Sequence, residues 1–421
     1  MKNNVSRRDF IRQGALVASG VSVFPESLTI LKKGRSQGAN DRIRIGIIGC
    51  GSRGNRVYMN GIHNHAEKMN AEIVAVCDPW RLSREQTNVK VKEWYGHDAK
   101  QFVSYRDLLE MKDLDAVMIA SPDHLHTLHL EAAARAGKHV YVEKPLAMDM
   151  GKLISATDAV KESGIVVQIG TQLRSLPGIN GARELFNQGK IGKLSRVEEC
   201  RNSPRPYWYG YLRDVKKEDV DWKEFLHDRP DRPFNPDVYS AWYGYYEFSH
   251  GPIPNLGAHF IDIVHFVAGA GFPESCVCLG GTYTWKDEHK FTTPDCIQAT
   301  WTYPEGFLVS SSNNLGNGMG SVRNFYGDKG MIRMSNWNEP FINADGSPRG
   351  DTSVKGERAV TPVDVPDHFL NWLRCIRKNE KTIAPIEAGY QHAVAVLMAM
   401  KSYETGRKTT YDHKQRKILT A

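Results

Sequence analysis

The stretch Ile43–Gly54, Ile-Arg-Ile-Gly-Ile-Ile-Gly-Cys-Gly-Ser-Arg-Gly, constrains this chain more than any other. Ile43–Ile48 is an apolar run of the kind that forms a buried parallel strand. It feeds directly into Gly49-x-Gly51-x-x-Gly54, then a segment that can be helical, then a second strand, Glu72–Cys77, ending in Asp78. Strand, glycine turn, helix, strand and acid in that order form a dinucleotide-binding fingerprint. Gly49 permits the tight turn, Gly51 lets the backbone approach a pyrophosphate, and Gly54 lets the helix pack on the strand. The helix start, with Ser52 and Arg53, offers N–H groups and partial positive charge to phosphates. Asp78 lies 24 residues beyond Gly54, where a carboxylate accepts from a ribose 2′-hydroxyl and repels a 2′-phosphate. NAD is therefore expected, and Arg81 nearby leaves NADP open.

The alternation continues. Leu114–Ala120 reads as a strand, followed by Ser121-Pro122-Asp123-His124-Leu125-His126 and a helix closed by Gly137. His139–Val142 reads as a strand ending in Glu143-Lys144-Pro145. A helix over Met150–Ser163 then leads to a strand over Ile165–Ile169. Repeated strand–helix units predict an α/β, doubly wound parallel sheet, a Rossmann domain over 41–170. Ligands of such sheets sit beyond the carboxyl ends of the strands. The glycine loop, Asp78, Ser121, Asp123, His126, Glu143 and Lys144 all fall on that edge and are the candidate cofactor residues. Lys144 there points into the crevice, where it can donate to a substrate hydroxyl.

From 171 the pattern changes to runs of strands, including Val277–Trp285, Cys296–Tyr303, Phe307–Ser312, Ser321–Tyr326 and Gly330–Ser335. This predicts a second, α+β domain over 171–385 with a large open, mostly antiparallel sheet. Residues 386–421 form a closing helix and tail expected to pack back on the first domain. Arg174 is a candidate for substrate hydroxyls, with a domain-interface salt bridge as the competing reading. The segment Arg201–Phe248 is rich in Tyr and Trp, which suits stacking on a sugar ring or simply pinning down a long loop. In Asn255-Leu-Gly-Ala-His259-Phe-Ile-Asp262, His259 and Asp262 lie one helical turn apart. A histidine there suits proton removal from an alcohol near neutral pH.

The formal charge of +7 is concentrated at the N-terminus, where residues 1–35 hold seven Lys/Arg against two Asp/Glu. The remainder is nearly neutral, so no nucleic-acid partner is expected. The seven cysteines are an odd number, and Cys276-x-Cys278 has no second ligand pair nearby. Neither a disulfide framework nor a metal site is expected. Ser6-Arg7-Arg8-Asp9-Phe10-Ile11 precedes a weakly apolar run over Gly14–Phe24, too short to span a bilayer. It resembles a twin-arginine export signal, so residues 1–40 are read as signal and linker and the location as periplasmic.

The succession of GxGxxG, Ser-Pro-x-x-x-His, Ala-Gly-Lys-His-Val and Glu-Lys-Pro-Leu-Ala resembles the glucose–fructose oxidoreductase / inositol dehydrogenase / rhizopine catabolism (Gfo/Idh/MocA) family from about residue 41 nearly to the end. The resemblance implies catalytic roles for Lys144 and His259, a carbohydrate substrate, and a homo-oligomer assembled on the second domain's sheet. It departs at Asn255, where the family has Asp, and at His250-Gly251-Pro252, where it has Gly-Gly. Asn255, Arg174 and Asp262 are the candidate substrate residues. The reading is an NAD(P)-dependent oxidoreductase acting on a sugar, polyol or glycoside, with a tightly held cofactor. A glycosidase that uses NAD through transient oxidation, elimination and re-reduction is the alternative. A non-catalytic sugar or NAD binder is a third.

Overall fold

The computed structural model describes residues 41–349 and 354–421; the expected export signal lies outside them. Six strands form the first sheet: β1 (Ile43–Ile48), β2 (Ala71–Cys77), β3 (Lys100–Phe102), β4 (Ala116–Ile119), β5 (His139–Val142) and β6 (Val167–Ile169). Their order is β3-β2-β1-β4-β5-β6 and every pair is parallel. The runs Ile-Arg-Ile-Gly-Ile-Ile and Ala-Val-Met-Ile are apolar because both faces of these central strands are covered. The winding direction reverses between β1 and β4, which opens a crevice beyond their carboxyl ends.

Two glycines fix the turn at that crevice. Gly49 has φ +95°, and a Cβ there would lie 2.5 Å from the Ala120 carbonyl carbon. At Gly54 a Cβ would meet the Gly49 carbonyl oxygen at 1.9 Å. Either side chain would push β1, its helix and β4 apart. The helix itself starts as a π-helical turn, Arg53–Tyr58, a wide turn often found at functional sites.

The second sheet has ten strands. They are β7 (Leu194–Asn202), β8 (Ser275–Gly281), β9 (Cys296–Tyr303), β10 (Phe307–Asn314), β11 (Val322–Gly327), β12 (Met331–Arg333), β13 (Phe341–Asn343), β14 (Arg358–Ala359), β15 (Thr409–Asp412) and β16 (Lys417–Thr420). The order is β14-β13-β12-β11-β7-β10-β9-β8-β15-β16, with β7–β10 parallel and the other described pairs antiparallel. Burial alternates along β9 and β10, so one face is covered and the other open. Cys276 and Cys278 are free thiols on the covered face of β8. The strand expected to run on to Trp285 stops at Gly281. The Asp295 carboxylate accepts from the backbone N–H groups of Tyr283, Thr284 and Trp285 at 2.7–2.9 Å, and bends the chain away.

C-terminal segments tie the two sheets together. Phe369, Trp372 and Leu373, from the helix His368–Lys378, share a core with Ile45, Tyr58 and Tyr141 of the first domain. The helix Ile386–Thr405 lies between the sheets. A Cβ at its Gly389 would meet Ile169 and Leu146 at 2.8 Å, while the Ala395 carbonyl accepts from Trp301 Nε1 at 2.8 Å. The tail adds β15 and β16 to the edge of the second sheet, and Arg416 reaches the first domain as a bidentate donor to Asp158 at 2.9 and 3.0 Å.

Candidate active site

A cleft of about 1050 Å³, measured to its open mouth, begins at the glycine loop. Gly49, Gly51, Ser52 and Arg53 form its floor, Asp78 one end, and Ser121 the neighbouring strand edge. A Cβ on Gly51 would meet no protein atom within 4 Å. Packing of the protein therefore does not explain this glycine; close approach of a ligand does, and that fits a dinucleotide pyrophosphate. Asp78 is buried, and its carboxylate accepts from Cys50 N at 2.7 Å and Trp80 N at 2.8 Å. Burial pushes its pKa up, and those N–H groups pull the other way. Arg81 is turned aside: its guanidinium is held by Asp219 and Glu85. The cleft therefore keeps the carboxylate that suits NAD, while the neighbouring cation is already paired.

The roof of this cleft comes from the aromatic segment of the second lobe. Tyr239 donates to Asp78 at 3.3 Å, Asp221 N donates to the Pro79 carbonyl at 3.0 Å, and His124 Nε2 meets the Phe225 carbonyl at 3.0 Å. Tyr211, Trp242 and Tyr243 also face the cleft. Tyr245 and Phe248 instead pack into a small core, which they share with Phe225, itself also on the cleft wall. The aromatic cluster expected around a sugar thus serves largely as a self-packed strap over the nucleotide end.

Past Arg53 lies a second group of polar residues. The Lys144–Pro145 peptide is cis. Lys144 Nζ donates to the Asn255 carbonyl at 2.7 Å, in the π-helical turn Ile253–Gly257 that leads into the helix Ala258–Ala268. His259 stands in the first turn of that helix. Its Nδ1 is buried without a partner, and Nε2 has none among the described residues. Burial, reinforced by Lys144 and Arg53, pushes His259 well below its ordinary pKa, so the ring is neutral near pH 7. Glu143 bonds Arg53; burial would raise its pKa, but Arg53 and Lys144 hold it low. Burial lowers Lys144 against the pull of Glu143 and Asp123. Burial also pushes Asp123 up to about 8 despite Lys144.

Several expectations are corrected by this geometry. Asp123 does not line the nucleotide cleft. Its carboxylate accepts from Ser249 at 3.1 Å and Asn255 Nδ2 at 3.3 Å, beside Lys144. It places a carboxyl where the resemblance left one missing at position 255. His126 is fully buried, with its ring nitrogens against the Pro145 and Ser121 carbonyls at 2.7 and 2.8 Å, and it braces the Lys144 turn from behind. Arg174 and Asp262 bond each other through two contacts of 2.8 Å, both buried. Each is spent on the other: Arg174, just past the end of the first domain, is pinned to the helix that carries His259, and both groups are buried. Glu143 reaches the cleft only through Arg53. Tyr239 and Ser249 were missed: they lie far along the chain from the groups they touch, and no local motif marks them.

Residues 43–171 match the family model described as "Oxidoreductase family, NAD-binding Rossmann fold" (GFO_IDH_MocA), and residues 183–411 match its "Oxidoreductase family, C-terminal alpha/beta domain". An inositol 2-dehydrogenase of Rhizobium meliloti (strain 1021) is 28% identical over 192 residues, covering 44% of this chain and 54% of that protein. Glycosyl hydrolase family 109 protein 2 of Shewanella sp. (strain ANA-3) is 34% identical over 209 residues, 47% of this chain and 42% of that protein. The chain thus spans about half the length of these curated relatives. The crystal structure of an aldose-aldose oxidoreductase from Caulobacter crescentus complexed with glycerol superposes with TM-score 0.66 at 17% identity, covering 88% of this chain and 99% of that one. That likeness is one of fold.

Proposed function

This chain belongs to the Gfo/Idh/MocA oxidoreductase family, and from that premise we propose that it oxidises a carbinol of a sugar, polyol or glycoside at the junction of its two lobes. The observation that carries the reading is the meeting of Lys144 and His259 beside the nucleotide cleft, where Lys144 bonds the turn leading into His259. NAD, when bound, supplies the hydride acceptor. Lys144 has donors left beyond its bond to Asn255; they orient the substrate hydroxyl and steady negative charge on its oxygen. His259, neutral near pH 7, takes the hydroxyl proton at Nε2. Glu143 and the bond to the Asn255 carbonyl hold Lys144 in place. Incubation with a sugar panel, followed at the reduced-nicotinamide absorbance band, tests this. Reduction lost in Lys144→Met supports it, and full activity of that variant contradicts it.

The strap favours a retained cofactor. Its anchors on Asp78, Pro79 and His124 tie it over the nucleotide end, which would slow departure of a bound dinucleotide. A retained cofactor has to be restored within each cycle, which suits coupling of two sugars or the oxidation–elimination–re-reduction route of a glycosidase. The glycosyl hydrolase relative is a reason to keep the second route in view. Glycoside cleavage without net reduced cofactor would establish it.

We propose further that residues 1–40 direct export to the periplasm by the twin-arginine route; replacing Arg7 and Arg8 by Lys should trap the protein inside. The exposed Val277, Leu279 and Leu308 on the open face of the second sheet support a homo-oligomer packed through that face. Leu279→Lys should then shift the protein to a smaller species on sizing.

A further inference from the structure

Two arginines share one buried carboxylate on the covered face of the second sheet. Glu199 of β7 is 2% exposed. Arg323 donates to it from Nε at 2.8 Å, gives a second bond to the Ser335 carbonyl at 3.0 Å, and lies over the Trp337 ring at 4.6 Å. Ser311 occupies the other Glu199 oxygen at 3.3 Å. Arg323 is therefore held in place by the protein's own groups.

Arg201, two residues beyond Glu199 on the same face, is different. Its nearest approach to Glu199 is 3.6 Å, and among the described residues its guanidinium makes no hydrogen bond. Its side chain is 23% exposed, so the group is screened but still approachable. Opposite it in the parallel register stands Asn313 of β10, buried, with both amide atoms lacking a partner. The Tyr207 hydroxyl, also buried and unpartnered, faces the same charge. A Cβ on Gly257, two residues before His259, would lie 3.5 Å from Ser311 Oγ, the hydroxyl that bonds Glu199, so this face of the sheet lies against the turn that Lys144 bonds, and the charge of Arg201 is felt at both Lys144 and His259. Glu143 pairs with Arg53, and Glu199 pairs with Arg323. Arg201 is left with only a 3.6 Å approach to a carboxylate that Arg323 already occupies, and a partly buried guanidinium fork with so incomplete a partner is a costly arrangement.

We infer that Arg201, with Asn313 and Tyr207 beside it, forms a subsite for a single anionic group on the substrate, so that this enzyme acts on an acidic sugar such as a uronide rather than a neutral one. A planar guanidinium binds a carboxylate through two parallel bonds, and one unpaired positive charge calls for a monoanion. The inference rests on the proposed sugar-oxidoreductase reading for its reaction. Its binding step is measurable without turnover.

The test uses the purified holoenzyme with matched methyl glycosides of glucose, glucuronic acid and a sulfated glucose. Binding is followed by calorimetry and turnover by the nicotinamide band. The uronide should bind roughly 10- to 100-fold more tightly than the neutral glycoside, the range for a charged hydrogen-bonded contact. That preference should collapse in Arg201→Gln and partly survive in Arg201→Lys, which keeps the charge and controls for folding. Preference for the sulfate over the uronide would keep the anion subsite and change its occupant. Equal binding of neutral and acidic glycosides, or equal losses for both in Arg201→Gln, would overturn the subsite. Reduction by neutral sugars alone would overturn it while leaving the oxidoreductase reading intact. Tight uronide binding with no redox change on any sugar would keep the subsite and count against that reading.

Discussion

The two ends of the interlobe site differ in how far the protein satisfies its own polar groups. At the nucleotide end, the charged groups are paired: Asp78 accepts from Cys50, Trp80 and Tyr239, Arg81 is bound by Asp219, and one short sequence lays the floor, although Trp80 Nε1 is buried without a partner among the described residues. At the reacting end, among the described residues, His259, Tyr207 and Asn313 keep polar atoms with no partner, and Arg201 comes no nearer to Glu199 than 3.6 Å. Buried polar groups are ordinarily paired. An end whose groups are paired is built to hold one fixed ligand in one pose. An end with open valences waits for a substrate to complete it. The difference matches a site where one ligand stays and another comes and goes.

The largest expected effect separates the ends outright. Lys144→Met should lower kcat/KM about 10³-fold, within the range for lost acid–base and electrostatic groups, and leave bound nucleotide unchanged. Loss of nucleotide together with activity would mean that the ends are not separable. Next comes the buried pair that pins Arg174 to the helix carrying His259. Asp262→Ala leaves Arg174 buried and unpaired and should destabilise the fold by about 3–5 kcal/mol in denaturant melts. A large change in KM with intact stability would return Asp262 to the substrate.

A glycine pair sharpens the same line. Gly54→Ala should impair folding, because its Cβ would strike the Gly49 carbonyl at 1.9 Å. Gly51→Val should leave the melting temperature nearly unchanged and abolish nucleotide binding, since only a ligand fills that space. At the reacting end, His259 is pushed well below its ordinary pKa, and the neutral ring is the active base. Its active form is therefore still present as pH falls through the usual histidine range. The rate should hold through about pH 6.5, the ordinary histidine value, and bend only at lower pH. An acid limb centred there, and removed in His259→Asn, would contradict the burial argument. The smallest effect is expected for Tyr239→Phe, which should speed release of bound nucleotide by roughly fivefold, the worth of one modest hydrogen bond. Stopped-flow displacement would measure it.

The same contrast explains what the sequence could show. The glycine loop, Asp78 and the parallel, doubly wound character of the first sheet were legible because adjacent residues and a period of alternation encode them. Lys144 and His259 were reached through short motifs. The partners that define their surroundings were not. Asp123 meets Asn255 across 132 positions, and Arg174 meets Asp262 across 88. A helical spacing of His259 and Asp262 says only that they share one side of a helix. Which of the two faces the cleft depends on Arg174 arriving from 88 positions upstream. The aromatic segment misled for a related reason, since composition cannot tell a stacking platform from a strap that packs on itself. Arg201 carried no local signal at all, because its meaning lies in what Arg323 takes from Glu199.

The most direct test of the account is made on protein purified without added nucleotide. An acidic glycoside is added, and the reduced-nicotinamide absorbance band is recorded over one turnover in wild type and Lys144→Met. The account predicts bound NAD in both proteins, with substrate-dependent reduction in the wild type alone. Reduction in both proteins, or wild-type protein that stays empty and inert when NAD and sugars are supplied, would contradict it.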